Sequence, residues 1–118
     1  MSRSRGLVLF VLIAVFAVTG GILVYVSQSH GGQARTINVT VTGARSMSPE
    51  TLTANFDDTL TVNITSDITG EVHLHGYDIQ FSCVAGQVTT RTFKADKSGR
   101  FPIEWESTGT PLGALAVT

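Results

Sequence analysis

The 118-residue sequence predicts an all-β, Greek-key sandwich preceded by one N-terminal membrane-spanning α-helix. Three observations carry that expectation. Residues 6–26 form an uncharged apolar run. Segments rich in Thr, Val and Ile alternate apolar with polar residues beyond residue 35. Turn residues punctuate those segments at short intervals.

The run GLVLFVLIAVFAVTGGILVYV, Gly6 to Val26, carries no charge. At the α-helical rise it reaches about 30 Å, the hydrocarbon thickness of a bilayer. A charge at its centre would cost about 3 kcal/mol on insertion scales, so the absence of one is informative. Arg3 and Arg5 precede the run and all 9 acidic residues follow it. The positive-inside rule therefore predicts a cytoplasmic N-terminus at 1–5, a transmembrane helix or signal anchor at 6–26, a linker at 27–35 and an extracytoplasmic domain at 36–118. A cleaved signal peptide is the competing reading. Its apolar region is normally shorter and ends in a small-residue cleavage site, for which Ser27-Gln28-Ser29 and Gly32-Gln33-Ala34 are poor matches. Both readings export the domain, and the retained anchor places it at the cell membrane. Ala17 and Gly21 form a small-xxx-small pair within the span, a spacing that favours helix pairing.

Composition then excludes several classes. Of the 8 basic residues, two precede the span, so the exported part is acidic overall, which argues against nucleic acid as a partner. The lone cysteine, Cys83, has no partner for an internal disulfide, so packing must hold the domain together. No nucleophile–base pair, carboxylate dyad or phosphate loop is visible, and no enzymatic activity is expected.

Ser27 to Arg35 (SQSHGGQAR) is polar, has paired glycines and reads as linker. Ile37, Val39 and Val41 then alternate with Asn38, Thr40 and Thr42. After Ser48-Pro49, Leu52, Ala54 and Phe56 alternate with Thr51, Thr53 and Asn55. Beyond the turn at Asp57-Asp58, Leu60, Val62 and Ile64 alternate with Thr61, Asn63 and Thr65. This is the pattern of half-buried antiparallel strands. Further strands are expected at Glu71–Tyr77, Ile79–Val84, Val88–Ala95, Arg100–Glu106 and Leu112–Val117. Turns separate them at Asp67 to Gly70, Ala85-Gly86, Asp96 to Gly99 and Thr108 to Pro111. About eight short strands in so short a stretch imply a sandwich or small barrel.

Several of these segments fall in a recognisable order. Pro49-Glu50-Thr51-Leu52 is followed by Asp57-Asp58-Thr59-Leu60-Thr61-Val62-Asn63-Ile64, then Glu71-Val72-His73-Leu74-His75-Gly76-Tyr77-Asp78. Ala85-Gly86-Gln87 comes next, then Phe93-Lys94-Ala95-Asp96-Lys97-Ser98-Gly99-Arg100-Phe101 and Leu112-Gly113-Ala114-Leu115-Ala116-Val117. From Met47 to Val117 the chain thereby resembles the cupredoxin-like domains of exported bacterial proteins. The resemblance implies a cupredoxin-like sandwich, with Glu71 to Asp78 as the strand that carries the first copper-ligand histidine. A blue-copper site also takes a cysteine, a second histidine and usually a methionine from the loop before the last strand. Trp105 stands about where that cysteine belongs, and no histidine or methionine follows it. The resemblance therefore implies no standard blue-copper site. No cofactor is required by the residues that remain, and copper is the one to consider.

His73 and His75 are the candidate metal ligands. At i and i+2 on a strand they project from one face, about 7 Å apart along the chain, with Glu71 on the same side. Imidazoles so placed can converge on one ion, but two protein ligands are too few and further donors must come from elsewhere. The alternative is that Val72 and Leu74 face the core and both histidines are ordinary polar residues of the outer face. Cys83, beside Phe81 and Val84, reads as a small buried hydrophobe, or else as a soft ligand returned towards the histidines by the turn at Gly76–Asp78. Met47 reads as packing, with a thioether ligand as the alternative. Phe101, Ile103 and Trp105 share one strand face and read as core. Glu104 and Glu106 then point outward as solvated charges, with ligand carboxylates as the alternative. Asn38-Val39-Thr40 and Asn63-Ile64-Thr65 match the glycosylation sequon, a triplet that Thr-rich strands generate by composition.

The functional expectation has two branches. One is a membrane-tethered binding or accessory module without a standard blue-copper site, acting with another membrane or surface protein. The other is a domain that binds or delivers copper, or another transition metal, through His73 and His75.

Overall fold

A computed structural model describes residues 32–118, so the expected span at 6–26 and most of the linker lie outside the described residues. The first strand, β1 (Ala34–Thr42), begins two residues inside the expected linker. It is followed by β2 (Ser46–Ser48), β3 (Thr51–Ala54), β4 (Thr59–Ser66), β5 (Gly70–Leu74), β6 (Ile79–Cys83), β7 (Val88–Lys94), β8 (Gly99–Trp105) and β9 (Thr110–Val117). Two sheets form. One has the strand order β2-β1-β4-β7 and the other β3-β9-β8-β5-β6.

The domain is all-β, but its sheets are mixed, not purely antiparallel as the alternation suggested. β1 runs parallel to β4 from Ala34↔Thr59 to Val41↔Ser66, and β3 runs parallel to β9 from Thr51↔Ala114 to Ala54↔Val117. The reason lies in the connections. After β2 the chain crosses to the other sheet as β3, then returns as β4 beside β1 and in the same direction. Period-two alternation reports which side chains are buried and is blind to strand direction.

The alternation places most of the core as expected; the exception is Phe56, which lies beyond the end of β3 and is 52% exposed, whereas Leu52 and Ala54 of the same alternation are buried. Val39 and Val41 of β1, Leu60, Val62 and Ile64 of β4, Val72 and Leu74 of β5, Phe81 and Cys83 of β6, and Ile103 and Trp105 of β8 all join one buried cluster. Burying a side chain of the Val, Leu, Ile or Phe kind stabilises by roughly 1.5–3 kcal/mol, which is how the domain holds together without a disulfide. Met47 also joins that cluster, at 7% exposure, so it packs and does not face outward as a ligand.

The outer face of the four-stranded sheet carries polar residues bonded to one another across strands. Asn63 donates to Asn38 Oδ1 at 2.9 Å, Thr90 donates to Asn63 Oδ1 at 2.6 Å, and the Thr61 and Thr92 hydroxyls lie 3.2 Å apart. The asparagines of both sequon matches are therefore held by each other across the β1–β4 pair.

Candidate functional site

Site geometry starts with β5. Val72 is 0% and Leu74 3% exposed, so the alternate residues Glu71 and His73 are directed to the outer face of the five-stranded sheet. β8 lies beside β5 with Val72↔Trp105, His73↔Glu104 and Leu74↔Ile103 as neighbours. The same alternation that buries Ile103 and Trp105 brings Glu104 out next to the imidazole of His73. Backbone pairing extends past both strand ends, since Glu106 N–H donates to Glu71 O at 2.8 Å and His75 N–H donates to Pro102 O at 2.9 Å.

The strand expected at Glu71–Tyr77 is shorter than that, and His75 lies in the turn beyond it. Gly76 has φ +81° and Asp78 φ +56°, left-handed values that reverse the chain. A Cβ on Gly76 would also clash with Phe101 Cδ1, so glycine is required twice over. Tyr77 fastens this turn to the domain. Its ring meets Phe101 edge-on at 4.9 Å, its hydroxyl donates to Lys97 O at 2.7 Å, and it accepts from Lys97 N–H at 3.0 Å. Burial pushes the Tyr77 phenol above its ordinary value, with the nearby Asp96 charge acting in the same direction.

The turn keeps the two rings together. The His73 and His75 centroids are 4.3 Å apart with planes inclined by 55°. Three carboxylates surround them. His73 Nε2 lies 3.1 Å from Asp78 Oδ1, His73 Nδ1 lies 3.2 Å from Glu106 Oε1, and His75 Nε2 contacts Glu104 Oε2. The His73 side chain is only 14% exposed, whereas that of His75 is 40%. His73 Nδ1 is the one buried side-chain polar atom among the described residues without a hydrogen bond, because its contact with Glu106 does not meet hydrogen-bond geometry. Among the described residues, no three His, Cys, Asp or Glu side chains already stand around a single point as metal ligands would.

Glu104 and Glu106 are thus not the freely solvated charges that the sequence suggested. Each engages an imidazole, because the β5–β8 register brings the outward residues of the two strands side by side. Glu71 shares their face, but its carboxylate accepts from the Ser82 hydroxyl at 3.4 Å. Asp78 does not stand out as a site residue in the sequence. Its only advance signal is the Gly-Tyr-Asp turn directly after the histidines, a place where a left-handed residue can swing back over the strand it leaves.

Cys83 is on the other side of the sheet. It pairs with Gly70 in the same inward-facing set as Phe81 and Val72, is 2% exposed, and sets its thiol 3.7 Å from Phe81 O. Burial pushes the thiol above its usual value against a smaller lowering by Thr89. It is a core hydrophobe, as expected, and the sheet separates it from the imidazoles. Trp105 is 4% exposed and packs so closely on β5 that a Cβ on Gly70 would clash with its indole Cζ2.

No protein-family model matches the chain, and neither does any curated protein. Solved structures do match it. A chain from a heme-copper terminal oxidase dimer superposes with a TM-score of 0.65 at 16% identity, covering 75% of this chain and 67% of its own length. A copper binding protein in the apo form matches with a TM-score of 0.62 at 14% identity, over 78% of this chain and 93% of that one. The described domain has a cupredoxin-like fold. The multicopper oxidase mgLAC contributes a third match, TM-score 0.52 at 18% identity, in which 71% of this chain corresponds to 38% of the oxidase. At these identities the likeness is one of fold.

Proposed function

We propose that the chain is a membrane-tethered, extracytoplasmic cupredoxin-like binding module that performs no catalysis and has no standard blue-copper site. The observation that carries this reading is the state of the two positions from which the thiolate of a blue centre could come. Trp105 fills the core at the position where the resemblance puts the ligand cysteine, and the thiol of Cys83 faces the core, across the sheet from His73 and His75. A blue centre requires a thiolate and imidazoles on the same ion, an arrangement these positions do not support. The tether rests on the uncharged run at 6–26 and its basic N-terminal flank. It would confine the domain to partners at the membrane surface, another membrane or surface protein among them.

Two measurements test the proposal. Cu(II) added to the purified full chain in detergent micelles should produce no intense visible copper–thiolate absorption, and such a band would overturn the assignment. Protease added to intact cells should remove the domain and leave a membrane-retained N-terminal fragment. A protected domain would overturn the orientation.

A second reading is favoured by one specific observation: two imidazoles lie side by side, and one has a buried nitrogen with no hydrogen bond. In this reading the domain holds copper, or a related transition ion, through His73 and His75. The pair fits such an ion in donor chemistry, since imidazole suits copper and zinc. Comparing metal uptake by the parent with that of a His73→Ala, His75→Ala double variant decides it. Equal, weak uptake by both would end this reading.

A further inference from the structure

We infer that the His73–His75 site is an all-nitrogen-and-oxygen site for a divalent transition ion, completed by Glu104 and Glu106, and that it discriminates against Cu(I). This inference rests on the reading that the imidazole pair binds metal, and it specifies which ion and which further ligands.

The first argument is the donor inventory. Glu71 and His73 from β5, His75 and Asp78 from the following turn, and Glu104 and Glu106 at the end of β8 are the titratable groups on this part of the outer face. Gln80 of β6 lies opposite His73. All offer nitrogen or oxygen. The sulfur donors among the described residues, Cys83 and Met47, are both buried in the core. Cu(I) is selected by thiolate and thioether ligands, whereas imidazole with carboxylate suits Cu(II) and Zn(II). The sandwich keeps its sulfur atoms in the core and its imidazoles on an outer face.

The second argument is electrostatic and local. A neutral imidazole carries one proton and one lone pair. Asp78 engages His73 Nε2, while Nδ1 is buried 3.2 Å from a Glu106 oxygen with no hydrogen bond between them. A cation bonded to both atoms would give the buried imidazole nitrogen a partner and the carboxylate a counter-charge at once. The Glu104–His75 contact offers a second nitrogen and a second carboxylate beside it. Two neutral imidazoles and two carboxylates carry the charge that one divalent ion cancels, and they supply the four donors of a tetrahedral or tetragonal centre. The four do not yet surround one point. Loading therefore requires Glu104 to release His75 Nε2, a side-chain rotation at a half-exposed position.

The test uses the full chain in detergent micelles, titrated separately with Cu(II), Zn(II) and, under anaerobic conditions, Cu(I), each against a competing chelator. The variants are Glu104→Gln with Glu106→Gln, and His73→Ala with His75→Ala. Trp105 fluorescence confirms that each is folded. The parent should bind both divalent ions at least about tenfold more tightly than Cu(I), and the Gln pair should lose on the order of 10–100-fold in divalent affinity while Cu(I) affinity stays put. The Cu(II) spectrum by electron paramagnetic resonance should show nitrogen hyperfine structure in the parent and lose it in the Ala pair. Cu(I) bound as tightly as Cu(II), or divalent affinity unmoved in the Gln pair, overturns the inference while leaving the imidazoles as ligands. Affinity unmoved in the Ala pair overturns the imidazole reading itself, and the inference with it.

Discussion

Asp58 tests the structural account most severely, because it is a charge placed at 1% exposure in a domain held only by packing. Its carboxylate accepts from Gln33 N–H at 2.8 Å, Asn55 N–H at 2.9 Å and Arg35 Nε at 2.7 Å. Asp58 thereby ties the start of β1 to the turn before β4. In Asp58→Ala those donors lose their partner. Hydrogen bonds to a charged group contribute about 1.5–3 kcal/mol each, but the Arg35 side chain is 39% exposed and water can replace its partner. The two backbone donors dominate, and the expected loss is roughly 2–4 kcal/mol. For a domain of this size, that lowers Tm on the order of 10–25 °C. Guanidinium unfolding followed by Trp105, the single tryptophan, reads the loss directly.

The same residue predicts a pH dependence. Burial pushes the Asp58 carboxyl up, but the Gln33 and Asn55 amides and the Arg35 guanidinium outweigh it, so the folded value lies below the ordinary one. A group depressed by folding contributes fully above its unfolded value, about 3.9 for Asp, and its contribution is lost as pH falls through the lower folded value. The parent should therefore lose stability on acidification below about pH 4, and Asp58→Asn should show a shallower loss there. An Ala variant within about 0.5 kcal/mol of the parent, the range of an ordinary surface change, would show that Asp58 is not the tie described. So would an acid limb of the same steepness in the Asn variant.

Three further outcomes follow from the packing. Gly70→Ala drives a methyl into the Trp105 indole and should cost about 1–3 kcal/mol with a shifted Trp105 emission; an unaltered spectrum and midpoint would contradict the close approach. The Cys83 thiol, buried and held above its usual pKa, should react with a thiol reagent only as fast as the domain opens, so rapid labelling in the absence of denaturant would place it elsewhere. Tyr77, raised by burial and then by Asp96, should ionise above the ordinary phenol value in an ultraviolet titration, and Asp96→Asn should bring it part of the way back.

Most of the sandwich is legible in the sequence because alternation is a direct record of burial. The spacing of Val39, Val41, Leu60, Val62 and Ile64 alone assigns them to inward faces, and the same holds for the Trp105 stripe. Strand direction is not legible: nothing in β1 or β4 taken alone says that they run parallel, since that depends on where β3 is paired. The short strand at Ser46–Ser48 offers too few residues for a period to show. The candidate site is half legible. His73 and His75 stand out because their spacing is local. Two of their three carboxylates, Glu104 and Glu106, come from the end of β8 and just beyond it, about thirty residues away, and only the β5–β8 register of His73↔Glu104 brings them near.

The order of side chains along single stretches of chain is enough to set the all-β class, most of the inward and outward sets on the strands and the expectation of an apolar span at 6–26, and it favours burial of Cys83. Other features exist only once the strands have paired. The mixed sheets, the gathering of Glu104 and Glu106 around the imidazoles, and the placing of sulfur and imidazole donors on opposite sides of one sheet are all of this kind. They are relations between segments far apart in the chain. Their physical cause is the crossover and register that put β5 beside β8, and no local period encodes either.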